Sequence, residues 1–128
     1  MRRTLFTAFL LPALLQAQST PIRPHAELKA GTAIEKMEIA GEAAEFKVPA
    51  GTKIYVWSKV IGAADTTVTF VFNKGDNSSK QELKVPRSPY RTNAYRTFRK
   101  GDDGEWTVKL MGDQGAELGS TTFKVDIQ

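Results

Sequence analysis

The sequence predicts an all-β protein, an immunoglobulin-like antiparallel β-sandwich of about seven strands. Apolar and polar residues alternate with period two along most of the chain after residue 28, which is the pattern of half-buried strands. Turn residues rich in Gly, Asp, Asn and Pro separate these stretches at roughly the 8–12-residue spacing of a sandwich. The chain has no cysteine, so an apolar core must hold it together. A small β-barrel is the alternative architecture.

Residues 1–17 are predicted to be a cleaved signal peptide. Arg2 and Arg3 precede an apolar run, Leu5–Leu15, and Ala17 supplies a small residue at the expected cut. The run is shorter than the roughly 20 residues of a membrane-spanning helix. The mature chain would then begin at Gln18 in the periplasm or outside the cell, with no transmembrane segment left after cleavage.

The mature chain is predicted to have an extended linker, residues 18–27, and one β-sandwich domain, residues 28–128. The linker is polar and contains two prolines. Residues 32–39 fit two structures, because Ala33, Met37 and Ala40 would also share one face of a helix. The alternation favours a strand there.

The remaining strands are predicted from β-branched and aromatic residues in alternation. Val68, Phe70 and Phe72 should face the core on one strand, and Trp106, Val108 and Leu110 on another. The predicted strands are Lys53–Ile61, Thr66–Asn73, Lys80–Val85, Arg91–Phe98, Glu105–Met111 and Ser120–Ile127.

Several short motifs resemble the bacterial family known as domain of unknown function 2914. They comprise a tyrosine-containing strand, an aromatic-Arg-Thr motif, a Gly-x-Trp-x-Val strand, an Asp-x-Gly turn and a Phe-x-Val strand. They fall on Tyr55–Val60, Tyr90–Thr92, Gly104–Val108, Asp113–Gly115 and Phe123–Val125. The resemblance implies an exported or envelope-attached bacterial domain and implies no activity. Phe70 and Phe72 stand where the family often has His and Trp.

Enzymatic activity and cofactors are not expected. There is no cysteine and a single histidine, His25, which falls in the predicted linker. Thiolate chemistry is therefore excluded, and a transition-metal site would have to rely on carboxylates, which is unusual. Most acidic residues occupy turns, where they usually hydrogen-bond their own backbone. A glycoside hydrolase with two catalytic carboxylates is a remote alternative.

The stretch from Arg87 to Lys100 is the best candidate site. It contains five cationic residues, three aromatic residues and no acid, whereas the whole chain has a formal charge of +4. The candidate residues here are Tyr90, Arg91, Tyr95, Arg96, Arg99 and Lys100. Strand alternation puts Arg91 and Arg96 on opposite faces unless a bulge near Asn93 intervenes. Ordinary charge on an edge strand, which discourages aggregation, is the other interpretation.

Two further candidates are Tyr55 and Trp57. They are either part of the sandwich core or an exposed aromatic platform for sugar rings or peptide side chains. Core burial is the more common fate of such a tryptophan.

These features predict an exported, non-catalytic binding module of the bacterial cell envelope. Its partner would be an anionic envelope component or glycan, or an envelope protein. Nucleic acid is excluded as a partner by the predicted export. The alternative is a structural accessory subunit of an envelope protein assembly, which would bind through an exposed strand edge.

Overall fold

The computed structural model describes residues 23–128, so the predicted signal peptide and most of the predicted linker lie outside the described residues. The described part is built from ten strands and contains no helix. The predicted all-β class is therefore confirmed. The strands are β1 (His25–Gly31), β2 (Ala33–Glu35), β3 (Glu38–Ala40), β4 (Glu45–Val48), β5 (Thr52–Ile61), β6 (Thr66–Lys74), β7 (Asn77–Val85), β8 (Tyr90–Phe98), β9 (Gly104–Met111) and β10 (Glu117–Ile127).

The strands form two principal sheets and a small hairpin. One sheet has three strands in the order β1-β5-β8, and the other has five in the order β4-β10-β9-β6-β7. Neither sheet closes into a barrel, and the predicted β-sandwich is confirmed. Strands pair antiparallel except for β4, which runs parallel to β10. The hairpin β2–β3 forms a separate two-stranded sheet.

The core lies between the two principal sheets and follows the predicted alternation. Val68, Phe70 and Phe72 are buried on β6, as are Trp106, Val108 and Leu110 on β9. Strand β5 contributes Ile54, Val56 and Val60 from the opposing sheet. Aromatic rings meet edge to face, with the Phe98 and Trp106 centroids 5.1 Å apart. Such pairs add about 0.5–1.5 kcal/mol beyond area burial, which helps a sandwich that has no disulfide.

The first strand begins earlier than the sequence predicts. The linker was expected to extend to residue 27, yet β1 starts at His25, which pairs with Ile61. Strand β5 is ten residues long and offers backbone partners along its whole length. Backbone pairing with β5 therefore extends β1 into a polar stretch that side-chain pattern alone marks as linker.

Residues 32–39 form strands, not a helix, as the alternation favoured. They make the β2–β3 hairpin, whose two-residue loop is Lys36-Met37 with φ angles of 50° and 65°. The hairpin folds tightly against the end of β1, where a Cβ on Gly31 would lie 2.5 Å from the Ala40 carbonyl oxygen. A side chain at residue 31 would therefore push the hairpin off the sheet.

Strand β4 was not predicted. It is four residues long, and Phe46 is its one fully buried side chain. So short a segment shows no alternation to detect. Its place is fixed by parallel pairing with β10 and by the Phe46 ring, whose centroid lies 5.5 Å from that of Phe123.

Ser58 provides a test of the core. Its side chain is fully buried among the apolar residues of β5, and its hydroxyl has no hydrogen-bond partner. Because an unpaired buried polar group costs about 1–3 kcal/mol, Ser58→Ala should raise the free energy of unfolding by about 1 kcal/mol. Urea unfolding checks this, with Ile54→Ala as the control that should lose about 2–5 kcal/mol. A Ser58→Ala protein less stable than the parent would contradict the prediction.

Candidate anion-binding cleft at the sandwich rim

Strands β7 and β8 are edge strands of different sheets and lie along the same rim of the sandwich. An open cleft of about 560 Å³ lies between them. We call it the rim cleft. It is lined by Phe72, Ser79, Lys80, Gln81, Tyr95, Arg96, Thr97, Arg99, Lys100 and Asp102.

Arg96 points inward at this rim. Strand β8 pairs with β5 in an unbroken register from Tyr90 to Phe98, so the bulge near Asn93 that would have united the arginines is absent. Arg96 therefore shares a face with buried Phe98 and lies opposite Ile54. Arg91 is on the other face. The structure thus separates the two arginines that composition groups together.

The Arg96 guanidinium joins the two sheets. Its central carbon lies 4.7 Å from the centroid of the Trp106 ring. One terminal nitrogen donates to the Ser79 hydroxyl on β7 at 3.0 Å, and the other lies 3.8 Å from a carboxylate oxygen of Asp102. The carboxylate is largely buried and its charge is offset at short range. Arg96 is consequently a structural clamp as well as part of the cleft wall.

Asp102 also fixes the loop between β8 and β9. One carboxylate oxygen accepts from the Arg99 backbone N–H at 2.8 Å, and the Asp102 carbonyl accepts from the Trp106 indole N–H at 2.8 Å. This geometry holds Arg99 and Lys100 at the mouth of the cleft. Both side chains are exposed, as is Lys80, and none of the three makes an ion pair with another described residue.

Four of the eight predicted site residues thus line the rim cleft: Tyr95, Arg96, Arg99 and Lys100. The other four do not. Tyr90 is half-buried on the inward face, with the Arg87 guanidinium 5.1 Å from its ring centroid. Arg91 is on the outer face of the three-stranded sheet, paired with Glu38 of the hairpin.

Trp57 is buried, but not in the core between the sheets. It lies on the outer face of β5 beneath the β2–β3 hairpin, where its indole N–H donates to the Met37 carbonyl at 2.8 Å. It therefore cannot serve as an exposed platform in this structure. Tyr55 is half-buried beside Tyr95, with ring centroids 5.5 Å apart, and Tyr95 is the exposed member of the pair.

Six of the ten lining residues were not predicted as site residues. Among them, Ser79, Lys80 and Asp102 take part in the clamp or carry charge. Ser79 and Lys80 belong to β7, and only the topology of the sandwich brings β7 beside β8. Asp102 is one of the turn acids, for which the sequence predicts only hydrogen bonds to the local backbone. Asp102 is close in sequence to both Arg99 and Trp106, and this spacing could have indicated that it fixes the loop.

His25, the single histidine of the chain, does not line the rim cleft. His25 is exposed at the start of β1, and its Nδ1 lies 2.8 Å from the Arg23 carbonyl. No group of three or more His, Asp or Glu side chains within residues 23–128 is placed to hold a metal ion. In the same range no helix is long and apolar enough to cross a membrane.

Comparison with known families identifies the C-terminal part of the chain. Residues 65–125 match the model of a family described as a protein of unknown function (DUF2914). Over this segment the chain is similar to the DUF2914 family. The resemblance inferred from the motifs is thereby confirmed, although the matched residues begin after β5 and so leave out the Tyr55–Val60 motif. No curated protein matches the chain significantly.

The DUF2914 segment contributes most of the rim cleft, and the clamp within it can be tested by stability. Arg96→Ala should lower the free energy of unfolding by about 1–3 kcal/mol, because it leaves the Asp102 carboxylate without its cationic partner and removes packing on Trp106. Arg99→Ala is the matched control and should change stability by no more than about 0.5 kcal/mol. Equal effects of the two substitutions in urea unfolding would show that Arg96 is not a clamp.

Proposed function

We propose that this protein is an exported, non-catalytic binding module of the bacterial cell envelope that holds an anionic glycan at the rim cleft. The observation that supports the proposal most directly is the convergence of four cationic side chains on one cleft that contains a single carboxylate. That carboxylate, Asp102, is already engaged by Arg96. After this pairing the net charge of the cleft is positive, and it is located at the mouth of the cleft.

The cationic side chains of the rim cleft have two different roles. Arg96 is held in place by Ser79, Asp102 and Trp106, so it supplies a fixed positive field rather than a free contact. Arg99 and Lys100 are exposed and are the residues positioned to meet a ligand. Guanidinium and ammonium groups form short, charge-assisted hydrogen bonds with carboxylate, sulfate and phosphate oxygens. An open cleft between two strand edges suits an extended chain better than a small enclosed molecule.

The alternative, an accessory subunit that binds through a strand edge, is supported less well at β8. An inward-pointing charge on an edge strand is a known device against edge-to-edge pairing, and Arg96 is such a charge. Strand addition there would also have to leave the Arg96–Asp102 contact intact.

Retention on immobilised heparin, a sulfated glycan, tests the proposed function. The paired substitution Arg99→Ser and Lys100→Ser should lower the salt concentration needed for elution, because contacts between exposed charges are screened by salt. The matched control is Lys47→Ser with Lys124→Ser, which removes the same charge from exposed positions on the neighbouring strands β4 and β10.

The two pairs must behave differently for the proposal to stand. If both lower the elution salt equally, net charge alone governs retention and the rim cleft is not a site. If neither does so, the cleft does not bind anionic glycans. A stable protein partner recovered from envelope extract, whose capture survives the Arg99 and Lys100 substitutions, would favour the accessory-subunit alternative.

A further inference from the structure

The tip of the β2–β3 hairpin carries an exposed apolar side chain in an unfavourable backbone conformation. Met37 is 52% exposed, one of two large apolar side chains so exposed among the described residues. It and Lys36 both have positive φ, in a two-residue loop where Asn-Gly is the favoured sequence. Folding alone would select neither residue here. The presence of Lys36 and Met37 in this turn is therefore explained by function and not by folding.

A second basic pocket lies beside this tip. Met37, Lys59, Arg87, Pro89 and Arg91 line a space of about 440 Å³, which we call the hairpin pocket. It lies on the outer face of the three-stranded sheet, whereas Arg96 of the rim cleft points inward. No lining residue is shared between the two sites.

The hairpin pocket places two like charges directly opposite each other across neighbouring strands. Lys59 and Arg91 are direct cross-strand partners on β5 and β8, and like charges in that relation destabilise a sheet. Arg91 is partly compensated by Glu38. Lys59 has Glu27 as its cross-strand partner on β1 but makes no ion pair with any described residue. Arg87 is exposed and lies against the Tyr90 ring. An anion bound between these cations would relieve their repulsion.

The tip is also held rigidly in place. The Trp57 indole N–H donates to the Met37 carbonyl at 2.8 Å, and Arg91 pairs with Glu38, the residue that follows Met37. These contacts hold the Met37 side chain outward above the cations. An apolar side chain projecting from a cationic surface matches an interface that is negatively charged outside and apolar beneath.

We propose that this hairpin tip docks on an anionic phospholipid surface, with a lipid phosphate in the hairpin pocket and Met37 inserted among the outer acyl segments. Each Lys or Arg near an anionic membrane surface contributes about 1 kcal/mol. Lys36, Lys59, Arg87 and Arg91 are opposed by Glu35 and Glu38 at the hairpin and by Glu27 across from Lys59 on β1. Attachment is therefore reversible and depends on both the charges and the apolar side chain, as two-signal anchors do.

Vesicle sedimentation tests the docking. The protein from Gln18 onward, which contains all ten strands, is mixed with vesicles of equimolar phosphatidylglycerol and phosphatidylcholine, or of phosphatidylcholine alone. Binding should require phosphatidylglycerol. The pair Lys59→Ser and Arg87→Ser should reduce partitioning on the order of thirtyfold, from two contacts of that size. Met37→Asn should reduce it by about tenfold while keeping a residue that suits the turn.

The control is the pair Lys47→Ser with Lys124→Ser, which removes the same charge from exposed positions on β4 and β10. It should leave vesicle partitioning within about twofold of the parent, since those residues lie outside the hairpin pocket. Loss of partitioning equal to that of the Lys59 and Arg87 pair would overturn the docking proposal in favour of general charge attraction. Partitioning that does not depend on phosphatidylglycerol or on Met37 would also overturn it. Neither result would change the expected heparin retention at the rim cleft, so the two proposals can fail separately.

Discussion

Contact between two open sheets is the interaction on which the rest of this structure depends. With no cysteine in the chain, nothing covalent holds the sheets together, so aromatic and branched side chains such as Phe70, Trp106 and Val56 must do so. Open sheets leave rims, however, and a rim is where water reaches the core. At the β7–β8 rim the closing residue is charged. Arg96 spreads its guanidinium against Trp106 while bonding to Ser79 and facing Asp102, a solution that leaves positive charge at the opening.

Closure of that rim and the proposed ligand binding are therefore linked through one residue, Asp102. Asp102 neutralises part of Arg96 and at the same time accepts from the Arg99 backbone N–H. The contact that closes the rim also sets the direction of the exposed cations at the cleft mouth. An apolar residue in place of Arg96 would leave the Asp102 carboxylate without its cationic partner, and it would also remove the fixed positive field. The proposed function thus gives the polar closure a purpose that stability alone does not.

The sequence predicted the core strands well because alternation reports burial on one face. Phe72, Trp106 and Leu110 all face the core as the pattern indicates. It could not predict which strands become neighbours in space, because Ser79 and Arg96 are brought together by topology and not by spacing along the chain. Trp57 shows the same limit of sequence-based prediction. Because β5 is apolar on both faces, alternation does not indicate which face packs in the core. The outer face of β5 is covered by the β2–β3 hairpin, whose position depends on the Gly31 backbone, the Trp57 indole hydrogen bond and the Arg91–Glu38 ion pair.

The basic stretch on β8 is best understood as two surfaces on one strand. Composition merges its arginines into a single patch, but a strand with period two and no bulge must send odd and even residues to opposite faces. Arg96 therefore serves the rim cleft and Arg91 the hairpin pocket. The two faces are held to different elements, one to β7 through Ser79 and the other to the hairpin through Glu38. The charge of this stretch is thereby divided between two faces, each with its own proposed anionic partner.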